Sequence, residues 1–87
     1  MRFGVSYRTV TSRDMFSAFV RRADSLGFDL IAAPDHLGVP APFSTLAAAA
    51  AVSARLRLRT YVLNAGFWNA ALLAREAATL DVLSDGR

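Results

Sequence analysis

The chain has 87 residues, 54% hydrophobic and 20% charged, a balance that belongs to globular domains and excludes a disordered chain. It has no cysteine, which removes disulfide, thiolate and Cys-ligated zinc chemistry. No apolar stretch approaches the ~20 residues of a membrane span, and the start of the chain lacks a signal-peptide core, so no membrane partner is expected and the cytoplasm is the default location.

Arg2 to Tyr7 alternates Phe3, Val5 and Tyr7 against Arg2, Gly4 and Ser6, the period of a strand. Thr11 or Ser12 then offers an N-cap. Met15, Phe16, Phe19, Val20, Ala23 and Leu26 recur at helical spacing, and Gly27 closes the helix. Asp29 to Ala33 reads as a second strand, apolar at its centre as in a sheet covered on both faces. Pro34 to Pro40 is a loop by its prolines and glycine.

Ser44 is the expected cap of a second helix through Leu46 to Ala54, whose alanines suit close packing on a sheet. Leu56 to Leu63 reads as a third strand, with Leu56, Leu58, Thr60 and Val62 on one face and Arg57, Arg59, Tyr61 and Leu63 on the other. Asn64 to Trp68 forms a loop. Asn69 caps a third helix with apolar positions Leu72, Leu73, Ala77, Leu80 and Leu83, which Ser84-Asp85-Gly86 ends.

This alternation of strand and helix, without a hairpin signal, predicts an α/β fold with a parallel sheet and right-handed crossovers. Each unit takes about 30 residues and a complete (β/α)8 barrel roughly 250, so residues 1–87 are expected to form a partial domain of three units. Periodicity alone leaves a barrel and an open doubly wound sheet equally open. The apolar excess fits either further sequence or an oligomer partner, engaged through exposed sheet edges or helices, as well as a merely alanine-rich small domain.

Parallel sheets carry ligand sites at the carboxyl ends of their strands. His36, the sole histidine, and Asp35 stand at the end of the second strand. An imidazole there could exchange a proton near neutral pH, with Asp35 orienting the ring. The plainer reading is an Asx-turn at Asp35 with His36 as a loop residue. Asn64 could donate to the polar edge of a planar ligand or simply form a turn before Ala65-Gly66. Phe67 and Trp68 could wall a pocket or cover the core.

Arg55, Arg57 and Arg59 form a basic stripe, but without aromatic interleaving or a basic arm a solvated strand edge is the better reading than a nucleic-acid interface. Glu76 and Asp81, five apart, are not neighbours on a helix and belong to a solvated or subunit-contact face. No metal-ligand cluster, Gly-rich phosphate loop or Ser-His-Asp arrangement can be assembled.

Four segments, taken together, resemble the luciferase-like monooxygenase superfamily and especially its deazaflavin-dependent branch. They are Arg2-Phe3-Gly4-Val5, Ala23 to Asp29, Pro34-Asp35-His36-Leu37-Gly38, and Leu73 to Arg87. The last is the most specific. The resemblance implies the first three βα units of a TIM (β/α)8 barrel, the N-terminal third of a family member, and a cofactor at the carboxyl face that is either FMN or the deazaflavin coenzyme F-420. It implies that His36 is catalytic, with Asp35, Val62, Leu63 and Asn64 beside the cofactor, and that the second half of the barrel holds the cofactor's phosphate-bearing tail. The chain departs from the family pattern at Arg59, where glycine is usual, at Ala70, where proline commonly opens the third helix, and at Asp85, which replaces a glycine.

The function so implied is hydride transfer or monooxygenation of a small organic substrate by a flavin or deazaflavin oxidoreductase. The contrasting reading is a non-catalytic truncated α/β fragment that at most packs against partner chains; a nucleic-acid module ranks below both.

Overall fold

The computed structural model describes residues 1–87. The chain runs β1 (Gly4–Ser6), α1 (Arg13–Ser25), β2 (Leu30–Ala33), α2 (Pro42–Val52), β3 (Arg57–Thr60) and α3 (Ala70–Leu83), with a 3-10 turn at Ala65–Phe67 ahead of α3. The three strands are parallel in the order β1-β2-β3. Three strands alternating with three helices make an α/β fold, as the sequence pattern predicts, and the arrangement is that of consecutive βα units of a barrel.

Both outer strands are shorter than their alternation suggests. At the start of β1 the Asp29 carboxylate accepts the Phe3 amide at 2.7 Å, and that amide is thereby withdrawn from the sheet ladder. On the other side, the Tyr61 amide donates to Ala33 O at 2.7 Å. Pairing stops at this bond, and Val62 and Leu63 enter the loop.

The register aligns Val5, Ile31 and Leu58 across the sheet, facing the helices. Ile31 joins Phe16, Val20, Leu46, Ala49 and Leu56 in the core, with Val5 and Leu58 packed at its margin. The other face places Gly4, Leu30 and Arg57 in one row and Ser6, Ala32 and Arg59 in the next. No helix covers this face: Gly4, Ser6, Arg57 and Arg59 are exposed.

In α1, Ser12 Oγ accepts the Met15 amide at 3.1 Å, and Gly27 takes φ +88°, the left-handed region that favours glycine after a helix. The start of α2 corrects the sequence reading: Ala41 is the N-cap and Pro42 occupies the first turn, with Ser44 already inside the helix. Proline's fixed φ and missing N–H suit that first turn, and it competes successfully with a capping serine. The alanine run does pack tightly, with Ala49 and Ala50 buried against neighbouring elements.

α3 is different. Asn69 Oδ1 accepts the Ala71 amide at 2.9 Å and the Leu72 amide at 3.4 Å, fulfilling its role as cap, and Ala70 opens the helix. Yet α3 has no buried residue. Leu73 and Leu80 turn toward α2 and β3 across a cavity of about 410 Å³, while Leu72 and Leu83 are exposed, contrary to the apolar face read from the sequence.

After α3, Asp85 adopts φ 55° and Gly86 φ 78°. Aspartate tolerates the left-handed region better than most non-glycine residues, so the turn forms with Asp85 in it. The turn returns Arg87 beneath the sheet. Its guanidinium donates to Ser84 O at 2.7 Å, Ala50 O and Leu56 O at 3.2 Å, and Ser53 Oγ at 3.3 Å. No helix is long and apolar enough to cross a membrane.

Candidate active site

The segments that leave the carboxyl ends of all three strands meet around one open cleft of about 960 Å³. Asp35 and His36 reach it from β2, and Val62, Leu63 and Asn64 from β3, so all five residues singled out in the sequence line it together. Ser6, Tyr7 and Arg8 contribute from β1, and Tyr61 from the end of β3. Those four were not singled out; the carboxyl-end rule that selects His36 finds them when it is applied to β1 and β3 as well.

His36 is exposed, and its Nδ1 lies 3.0 Å from Leu37 O. In the tautomer that donates from Nδ1 to this carbonyl, Nε2 is left as the atom able to accept or, once protonated, to donate a proton. No ion pair joins His36 to Asp35. Asp35 instead turns one oxygen toward the third loop: Oδ2 accepts the Asn64 amide at 2.9 Å and the Trp68 indole N–H at 2.8 Å.

Asn64 also holds its own turn, its Oδ1 accepting the Gly66 amide at 3.1 Å. The plain turn reading of Asn64 and its place in the cleft therefore coexist. Its side-chain NH2 makes no bond within the chain and is free to donate. The Tyr61–Val62 peptide at this strand end is cis.

Phe67 and Trp68 do not line the main cleft. They border a separate depression of about 340 Å³ with the loop after β2. The half-buried Trp68 ring meets Phe43 of α2 edge to face, with centroids 5.2 Å apart. Of the two readings open for Trp68, the structure favours covering over walling the cleft.

Tyr7 is 5% exposed, packs edge to face on Phe16, and has a hydroxyl without a hydrogen-bond partner of good geometry. Burial raises its pKa from 10.0, and the nearby Thr45 hydroxyl partly offsets the rise. The phenol therefore stays neutral at physiological pH. Arg8, Arg57 and Arg59 have no carboxylate partner, whereas Arg55 pairs with Asp24 at 3.2 Å. Arg59 lies 5.5 Å from the centre of the Tyr61 ring. No group of three or more His, Asp or Glu side chains is placed to hold a metal ion.

A three-stranded parallel sheet whose strand ends gather a histidine, an amide donor and an aliphatic loop around one cleft places the candidate site at the carboxyl end of an α/β fold. The chain belongs to the luciferase-like monooxygenase family, whose model matches residues 1–87. It is also similar in structure to the monooxygenase RslO1 from Streptomyces bottropensis, at 35% identity and a TM-score of 0.83, covering 100% of this chain and 31% of that one. The chain thus spans about a third of that relative's length. No curated protein matches it in sequence.

Proposed function

We propose that residues 1–87 form the N-terminal portion of a flavin- or deazaflavin-dependent oxidoreductase and supply one wall of its active site. The convergence of His36, Val62, Leu63 and Asn64 on one cleft at the carboxyl end of the sheet carries this reading. The family and the monooxygenase neighbour support the reaction class.

The residues present fit the ring portion of FMN or coenzyme F-420. Val62 and Leu63 offer apolar contact to a planar ring, and the free Asn64 amide group offers a donor to its polar edge. Of the cleft residues only Arg8 brings a positive charge that could meet a phosphate. When bound, the cofactor supplies the redox chemistry, hydride transfer or oxygen activation. His36 holds or moves a proton at Nε2 next to a small organic substrate, and Asn64 orients the ring.

Titration of the purified chain with oxidised and reduced FMN and F-420, followed by flavin fluorescence, tests the reading. Saturable binding that is weakened by Asn64→Ala and accompanied by shifts at His36 and Val62–Asn64 is the expected result. Absence of any perturbation of these residues at millimolar cofactor would favour the inert-fragment reading.

A further inference from the structure

We infer that Asp35 is a positioning residue that fixes the cofactor-facing loop through Trp68 and the Asn64 backbone, and that it is not the partner of His36. The inference rests on the proposed site only in giving that loop a ligand. The latch itself is a matter of geometry.

The β2–β3 ladder ends at the bond from the Tyr61 amide to Ala33 O. Val62, Leu63 and Asn64 therefore leave the sheet with no strand to pair with. Asp35 stands one residue beyond Pro34, where its side chain takes over the acceptor role that a backbone carbonyl would have had. Its Oδ2 receives the Asn64 amide at 2.9 Å.

The same oxygen receives the Trp68 indole N–H at 2.8 Å. Between these two donors the chain is closed on itself. Asn64 Oδ1 accepts from the Gly66 amide, Asn64 O from the Phe67 amide at 3.0 Å, and Ala65 O from the Trp68 amide at 3.2 Å. Residues 64 to 68 are thus a small unit latched at both ends by one carboxylate oxygen. The Trp68 ring then seats that unit on Phe43 of α2.

Val62–Asn64 is consequently held by the last ladder bond on one side and by Asp35 on the other. Charge-assisted bonds of this kind are stronger than neutral ones, and they tie the loop to β2 and to the start of α2 at once. His36 takes no part, since its Nδ1 is engaged with Leu37 O.

Trp68 is the only tryptophan, so the indole N–H gives a single signal in a nitrogen–proton correlation spectrum. The expected result for Asp35→Asn is that the Trp68 indole and Asn64 amide signals both move upfield and exchange with solvent roughly tenfold faster, with Val62–Asn64 broadened and core signals unchanged. Trp68→Phe leaves an aromatic ring facing Phe43 and removes the indole N–H together with the five-membered ring. It is expected to broaden Val62–Asn64 as well, and it keeps the inference testable should Asp35→Asn fail to fold.

Indole and Asn64 signals that keep their wild-type positions and exchange rates in Asp35→Asn would overturn the latch. So would a Trp68→Phe protein with an unperturbed loop. Adding FMN and, separately, F-420 to the same samples separates the two ideas: wild-type protein that ignores both removes the functional reading, while the latch stands or falls on the cofactor-free spectra.

Discussion

The two ends of the sheet are each fastened by one charged side chain, but by opposite means. At the amino end Arg87 collects acceptors, the carbonyls of Ala50, Leu56 and Ser84 and the Ser53 hydroxyl. At the carboxyl end Asp35 collects donors, the Asn64 amide and the Trp68 indole. Arg87 joins the ends of two helices to the start of a strand, all parts of the framework. Asp35 joins loops that line a cleft. In barrel-type α/β proteins the amino end serves stability and the carboxyl end serves function, and here a cation and an anion divide the two tasks.

Breaking the two fastenings should therefore have unequal effects. Arg87→Ala strips bonds from several partly buried carbonyls and should cost about 3 kcal/mol, enough to unfold much of a marginal domain, as read by chemical denaturation. Asp35→Asn acts on exposed loops and keeps one acceptor, so about 1 kcal/mol is expected in the same assay. A larger loss for Asp35→Asn than for Arg87→Ala would reverse the assignment of the two ends.

Gly4→Ala tests the start of β1. Its new Cβ would lie 2.5 Å from Leu30 Cδ1 and 2.9 Å from Cγ. Leu30 lies on the face that no helix covers and has room to turn away, so the loss should be about 1 kcal/mol or less. Tyr7→Phe sharpens the view of the carboxyl end, and its effect at neutral pH is the smallest, because it removes a buried hydroxyl that has no good partner.

At alkaline pH the two proteins should diverge. Tyr7 has a folded-state pKa above its ordinary 10.0, so the unfolded chain releases this proton first. Its contribution is intact below pH 10 and is lost as the pH rises from 10 through the folded-state value. Denaturation midpoints of wild-type protein should fall more steeply over that range than those of Tyr7→Phe.

The order of elements and the family were legible because their signals are local: alternation in the strands, Ser12 and Asn69 as caps, Gly27 as a stop. The place of Asp35 and His36 in the cleft was legible from the rule that strand ends carry sites, and that of Val62, Leu63 and Asn64 from the family resemblance. What escaped depended on partners distant in sequence. Asp35 is a plausible companion for the adjacent His36 until its carboxylate is seen reaching across to Asn64 and Trp68. Arg87 reads as the last residue of a motif, and only the left-handed turn at Asp85 and Gly86 brings it to Ala50 and Leu56. Periodicity also overstated the burial of α3, because it records which side chains are apolar and not whether anything lies opposite them.

The row of Arg57 and Arg59 gives the uncovered side of the sheet a character that its small neighbours, Gly4, Ser6 and Ala32, would not. A flat parallel sheet without its second layer is ordinarily adhesive. Two copies laid face to face here would have to bring guanidinium groups with no resident counter-ions toward one another, and burying them unpaired is costly. Burying this face against another copy of itself therefore costs more than it would on an uncharged sheet.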